Sequence, residues 1–153
     1  MNKVKSLMQK MGHVQNRIVW LNKPKMEKAL SGYTSSEVHC IEAIHNIENP
    51  NVKKISDDLF MTRGAISKLT KKLIKKNAIT VYQKDDNKKE IYFELTAEGN
   101  RIYNRHLALH DQFLERDKPF FDDITEEEFE TLNRFFDKYS DYLDQVIEKE
   151  KRE

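Results

Sequence analysis

Only four glycines and three prolines punctuate 153 residues. So few chain breakers favour long helices over a many-stranded sheet. The apolar residues agree. Val4, Leu7, Met11, Val14, Ile18 and Leu21 recur at alternating steps of three and four, which predicts a helix with a coiled-coil-like stripe. Pro24 is expected to end or kink it. Thr34-Ser35-Ser36-Glu37 reads as a capping box opening a helix through Ile47, which Asn49-Pro50 closes. A short helix carrying Val52, Ile55 and Leu59 follows, and Thr62 then caps another that runs to about Asn77. The period next changes to two. Ile79 and Val81, and later Ile91, Phe93 and Leu95, alternate with polar residues around Asp85-Asp86-Asn87-Lys88, as in a β-hairpin with a charged tip. Thr96 opens a helix to about Asp117, broken near Pro119. A second capping box, Thr125 to Glu128, opens a last helix striped by Phe129, Leu132, Phe136, Tyr139, Leu143 and Val146. The expected fold is mainly α with a small β-wing.

Several classes drop out. The longest purely apolar run, Ile18-Val19-Trp20-Leu21, falls far short of the roughly 20 residues of a membrane span. Met1 to Lys10 has lysines but no apolar core of a secretory signal. A single cysteine, Cys40, excludes an internal disulfide and fits a reducing cytoplasm. No phosphate-cradling glycine loop, Ser/His/Asp set or paired-carboxylate constellation points to an enzyme.

Charge is segregated along the chain. Residues 1–30 hold seven basic residues and one acidic; residues 61–89 hold nine and two; residues 119–153 hold five and twelve. The two charged, striped termini are expected to pack together and bury their apolar faces in a two-fold dimer. The basic middle has another use. On a helical wheel of residues 62–77, Ile66, Leu69 and Leu73 share one side, flanked by Thr62 and Thr70, while Gly64, Lys68, Lys71, Lys72 and Lys75 lie opposite. A lysine face is ordinarily just solvated. Here no acidic residue pairs with it, a short helix precedes it across a tight turn as in a helix-turn-helix, and a hairpin with basic residues Lys84, Lys88 and Lys89 follows. These features point to double-stranded DNA. Lys68, Lys71 and Lys75 suit phosphates, and Arg63 and Ser67, near the helix N-terminus, suit base edges. The alternative from another class is a winged-helix interaction module with an acidic protein partner.

The order of elements, with Ile55-Ser56-Asp57-Asp58-Leu59, Thr62-Arg63-Gly64-Ala65-Ile66-Ser67-Lys68-Leu69, Leu73 and Leu95-Thr96-Ala97-Glu98-Gly99, resembles the MarR-type winged-helix regulators. The resemblance covers essentially the whole chain. It implies a single domain over residues 1–153, with about 33–96 as a winged helix-turn-helix DNA-binding part. Dimerisation helices would occupy about 1–30 and 97–150. It further implies a homodimer, a palindromic operator, and repression relieved by a small-molecule or metal effector. The wing departs from the family pattern: where that family usually has Asp-x-Arg, this chain reads Asn87-Lys88-Lys89, which supplies charge without the planar fork of arginine.

His106 and His110 are neighbours at i and i+4 on a face shared with Ile102, Phe113 and Leu114, so both imidazoles are expected to point inward. Inward histidines are most often core residues satisfied by one hydrogen bond. An i,i+4 pair also suits zinc or a similar cation, but two ligands are too few. The resemblance extends to the zinc-sensing branch of the family. There, a histidine on the capped helix and a carboxylate from the first helical region join such a pair, which would make His39 and Glu27 the further ligands. A crevice for an aromatic ligand beside Trp20 is the competing sensor; Trp20 also reads as dimer core. Redox sensing lacks support, because Cys40 lies on the apolar side of its helix and has no resolving cysteine.

Overall fold

The computed structural model describes residues 2–152; Met1 and Glu153, the outer ends of the expected single domain, lie outside the described residues. In chain order the elements are α1 (Asn2–Ala29), α2 (Ser35–Asn46), α3 (Val52–Leu59), α4 (Arg63–Lys75), β1 (Ile79–Lys84), β2 (Asn87–Leu95), α5 (Ala97–Phe121) and α6 (Glu126–Lys151). Two compact units result, one ending at Phe113 and one beginning at Leu114.

In the first unit, the core takes one fully buried aliphatic side chain from each of four helices: Ile41 of α2, Ile55 of α3, Ile66 of α4 and Ile102 of α5. Leu73 joins them from the next turns of α4. Burying each is worth about 1.5–3 kcal/mol. The expected capping box is present on α2, where the Thr34 side chain accepts from Glu37 N and Glu37 Oε1 accepts from Thr34 N at 3.0 Å. Asn51 and Thr62 cap α3 and α4 by the side chain alone, accepting from Lys54 N and Ala65 N. β1 and β2 pair antiparallel with Ile79 opposite Leu95 and Val81 opposite Phe93, so the alternating residues share one face as expected. The tip is tighter than the sequence implied: Lys84 pairs with Asn87, leaving Asp85-Asp86 as the turn. Phe93 N donates to Pro50 O at 2.9 Å and fastens the wing to the segment before α3.

The expectation that a helix stops at its proline is corrected. Pro24 lies inside α1 and Pro119 inside α5, so neither ends its helix. A helical proline removes one hydrogen bond to the carbonyl four residues earlier. Those carbonyls belong to Trp20 and Glu115, both at exposed positions where water can satisfy them. Continuing past Pro24 is what brings Met26 and Ala29, and then Leu30, onto the core. No residue of α1 is buried, and its stripe lies open at Val4, Leu7, Val14, Ile18 and Leu21, with Met11 half-buried.

The second unit is the end of α5 followed by α6. Thr125 and Glu128 form the expected capping box. Lys118 Nζ reaches Asp122 at 2.8 Å, and the Phe121 and Phe129 rings stack with centroids 6.4 Å apart. α6 buries none of its residues, and Leu132, Phe136 and Leu143 of its stripe are exposed. Among the described residues no helix is long and apolar enough to cross a membrane.

Candidate nucleic-acid interface and histidine cluster

α3 and α4 form a helix-turn-helix. The turn is closed at both ends by Ser56, whose carbonyl accepts from Met61 N and whose hydroxyl donates to Met61 O. α4 turns Ile66, Leu69, Thr70 and Leu73 into the core. The residues expected to meet DNA fall on the opposite side: Arg63, Gly64, Lys68, Lys71 and Lys75 are exposed, and Ser67 is half-buried. Among the described residues no carboxylate pairs with Arg63, Lys68, Lys71, Lys72 or Lys75, so their charge is uncompensated. No Cβ-sized obstacle stands near Gly64, so a surface can approach the helix backbone there. On the wing, Lys88 and Lys89 are exposed, while Lys84 lies half-buried with its ammonium 5.3 Å from the centre of the Tyr92 ring.

Lys76 is the exception among the basic residues of this stretch. Its ammonium turns inward to Glu37, 2.8 Å from Oε1 and 2.7 Å from Oε2, and donates to Gly32 O at 2.6 Å. Glu37 is 1% exposed. Burial alone would raise its pKa, but the Lys76 bond and the two Thr34 bonds outweigh this and hold the carboxyl below its usual range. The Lys76 ammonium also lies 5.0 Å from the centre of the Tyr33 ring. Tyr33 donates to Glu98 Oε1 at 3.1 Å, and Arg101 clamps the same carboxylate from Nε and Nη2 at 2.8 and 2.6 Å. Burial and then the Glu98 bond push the Tyr33 hydroxyl up to about 12. The C-terminal end of α4 is thus tied by polar contacts to the starts of α2 and α5. Sequence reasoning missed this chain because its members are far apart in sequence.

The histidines behave differently from one another, which corrects the expectation that both point inward. His106 is 3% exposed, whereas His110 lies at the surface. The buried stripe of α5 is Ile102, His106, Leu109 and Phe113, and His110 stands one residue beyond Leu109, at the edge of that stripe. Leu114, expected on the same face, is also exposed. His106 Nε2 is 3.1 Å from His110 Nε2 and 3.1 Å from Glu42 Oε2. His106 Nδ1 is buried without a partner. Burial and then the neighbouring His110 depress the His106 pKa, against the pull of Glu42, and His39 adds to the depression. Glu42 was not found from sequence, although its position three residues after His39 on α2 was a usable signal. Glu27, by contrast, lies 3.9 Å from Lys23 Nζ on its own helix.

Whether these residues suit a cation can be judged from their atoms. Zinc–ligand bonds of about 2.0–2.1 Å put neighbouring tetrahedral ligands roughly 3.3 Å apart, close to the two 3.1 Å separations around His106 Nε2. The donor chemistry fits. Two features stand against it: among the described residues no three such side chains converge tightly enough to hold an ion, and His106 Nδ1 lacks the acceptor that usually orients a metal-bound imidazole. Cys40 is wholly buried and its thiol is pushed up to about 12 by burial, which keeps it protonated and unreactive.

Comparison with known proteins places this architecture. The model of the MarR family matches residues 33–91. A Bacillus subtilis (strain 168) protein described as the uncharacterized HTH-type transcriptional regulator YvnA is 32% identical over 111 residues, spanning 72% of this chain and 71% of that protein. The chain belongs to the MarR family. MarR-family proteins are transcription regulators rather than enzymes, and are typically dimeric repressors. The MarR fold extends beyond the matched segment. Streptococcus pneumoniae FabT, solved in complex with DNA, superposes with a TM-score of 0.81 at 17% identity over 94% of this chain and 99% of that one. Staphylococcus aureus MarR, solved with salicylate and kanamycin, gives 0.75 at 17% identity over 93% of each chain.

Proposed function

We propose that this MarR-type regulator binds a palindromic duplex operator as a homodimer, with α4 in the major groove and the β1–β2 wing against the flanking backbone. The observation that carries the reading is the uncompensated basic face of α4, presented by a helix-turn-helix with the wing beside it. Arg63 and Ser67 read bases; Lys68, Lys71 and Lys75 neutralise phosphates, with Lys84, Lys88 and Lys89 at the wing. The open stripes of α1 and α6, on oppositely charged helices, support a second copy as the cover for both. Two-fold symmetry in the protein then requires it in the site. The DNA-bound relative supports the same partner.

The test is binding to duplexes enriched by the wild-type protein from a random library, over a range of salt. Arg63→Ala should cost about 1–3 kcal/mol, roughly 5- to 150-fold, and relax preference at one position of each half-site. Lys71→Ala should weaken all sequences alike and lower the salt slope by about 0.9 for each phosphate left without its lysine. Salt-dependent binding without sequence preference, unchanged by Arg63→Ala, would leave the acidic-protein partner as the better reading.

The effector we infer is a divalent cation, zinc first, drawn to His39, His106 and His110, with Glu42 supplying the carboxylate for which the family resemblance had pointed to Glu27. Such an ion would cross-link α2 to α5, the helices flanking the DNA-reading elements. Metal analysis of protein purified without chelator should find zinc in stoichiometric amount; His106→Ala should abolish it, and Glu42→Ala should lower zinc affinity more than Glu27→Ala does. No bound zinc, and no change in DNA affinity on adding it, would sink the idea. A small aromatic ligand of the kind seen with the S. aureus relative would then be the better reading, and Trp20 fluorescence its probe.

A further inference from the structure

Four described residues adopt positive φ. Three of them, Gly32, Asn49 and Asn77, are types that tolerate the left-handed region. The fourth is Phe60, at φ 53 and ψ 44, in the turn between α3 and α4. For a bulky side chain this conformation is costly by about 1–2 kcal/mol. Burial does not offset it, because Phe60 is 64% exposed. The conformation itself closes α3, whose C-cap is Phe60 with its N–H donating to Ser56 O. That this cap carries an exposed aromatic ring rather than glycine or asparagine calls for a reason outside the folded chain.

Its position supplies one. Phe60 stands two residues before Thr62, the N-cap of α4, and three before Arg63. Thr62, Arg63 and Gly64 are exposed in turn, so the ring extends the free surface at the N-terminal end of the recognition helix. Major-groove base edges are almost wholly polar; the one apolar group they present is the C5 methyl of thymine, which phenylalanine can pack against. We infer that Phe60 is a specificity-determining residue that packs on a thymine methyl in each operator half-site, next to the base read by Arg63. The inference rests on the DNA-binding reading above.

Phe60→Gly and Phe60→Asn separate this from a structural role, since both residues suit the left-handed backbone. The melting temperature of each variant should equal or exceed that of the wild type. The probe is the duplex enriched by the wild-type protein, together with copies in which single thymines are replaced by uracil, which lacks only the methyl. Wild-type protein should lose about 5-fold or more in affinity at one thymine per half-site, while Phe60→Gly should bind the unsubstituted duplex with the same loss and be indifferent to the uracil. Wild-type affinity retained by Phe60→Gly, or an affinity loss in the variant unrelated to any thymine methyl, would overturn the inference while leaving the DNA-binding reading intact. Failure of the wild-type protein to enrich any duplex would instead overturn the DNA-binding reading and this inference with it.

Discussion

Gly99→Ala is expected to destabilise the fold by about 3 kcal/mol and to lower its melting temperature by roughly 10 °C. Gly99 sits in the first turn of α5, where the helix meets Ala78 in the turn between α4 and β1. Thr96 N donates to Ala78 O at 3.0 Å, the Thr96 hydroxyl donates to Asn77 O at 2.6 Å, and Gly99 N donates to that hydroxyl at 3.2 Å. A Cβ on Gly99 collides with the Ala78 carbonyl oxygen and stands 3.1 Å from its carbon and 3.2 Å from Leu95 Cδ2. The obstacle is backbone, already fixed by Thr96, and cannot swing away as a side chain would. Alanine gains about 1 kcal/mol of helix propensity over glycine, but relieving the collision means drawing α5 off Ala78 and breaking bonds that hold it. The clash should win. Thermal unfolding at one protein concentration measures this, with Gly64→Ala as the control: nothing lies within 4 Å of its added methyl. Gly99→Ala melting at or above the wild-type temperature would disprove the close-approach argument.

That glycine also shows what could be read in the sequence and what could not. Leu95-Thr96-Ala97-Glu98-Gly99 was visible as a family pattern, yet the reason for the glycine lies in Ala78, in the turn between α4 and β1. The apolar stripe of α4 was legible because helical period needs only spacing: Ile66, Leu69 and Leu73 are buried as the wheel requires. The two capping boxes were legible for the same local reason. Pro24 and Pro119 misled because the local rule assumes that the lost hydrogen bond matters, and at exposed positions water can replace it. The wheel placed His106 and His110 on one face but could not say where the packed stripe ends; one imidazole went inside and the other did not. Glu42 and Lys76 acquire their partners only through long-range packing. Lys76 falls in the basic stretch of residues 61–89, yet its ammonium is committed to Glu37.

Lys76→Met should therefore act on stability rather than mainly on DNA affinity, costing about 3 kcal/mol near neutral pH. The substitution keeps the apolar stem and removes the ammonium, leaving the Glu37 carboxylate buried with only its Thr34 bonds. Because Lys76 is partly exposed, water will soften the loss, so the lower end of the range for a broken buried pair is the fitting expectation. Acidification gives the sharper signature. In the wild type the folded-state pKa of Glu37 lies below its usual value, so the pair stabilises fully above the ordinary carboxylate range. That contribution is lost as pH falls through the folded pKa. Without the ammonium, burial dominates and pushes the carboxyl above its usual value, so protonating it in the variant favours folding. The stability gap between wild type and Lys76→Met should therefore narrow steadily as pH is lowered from neutrality towards the ordinary carboxylate range. Glu37→Gln combined with Lys76→Met should recover part of the loss at neutral pH, since a neutral amide can sit beside Thr34 with no buried charge left over. A gap that stays constant with pH in denaturant unfolding would mean that Lys76 contributes through its stem and its bond to Gly32 O, and that the buried charge pair is incidental.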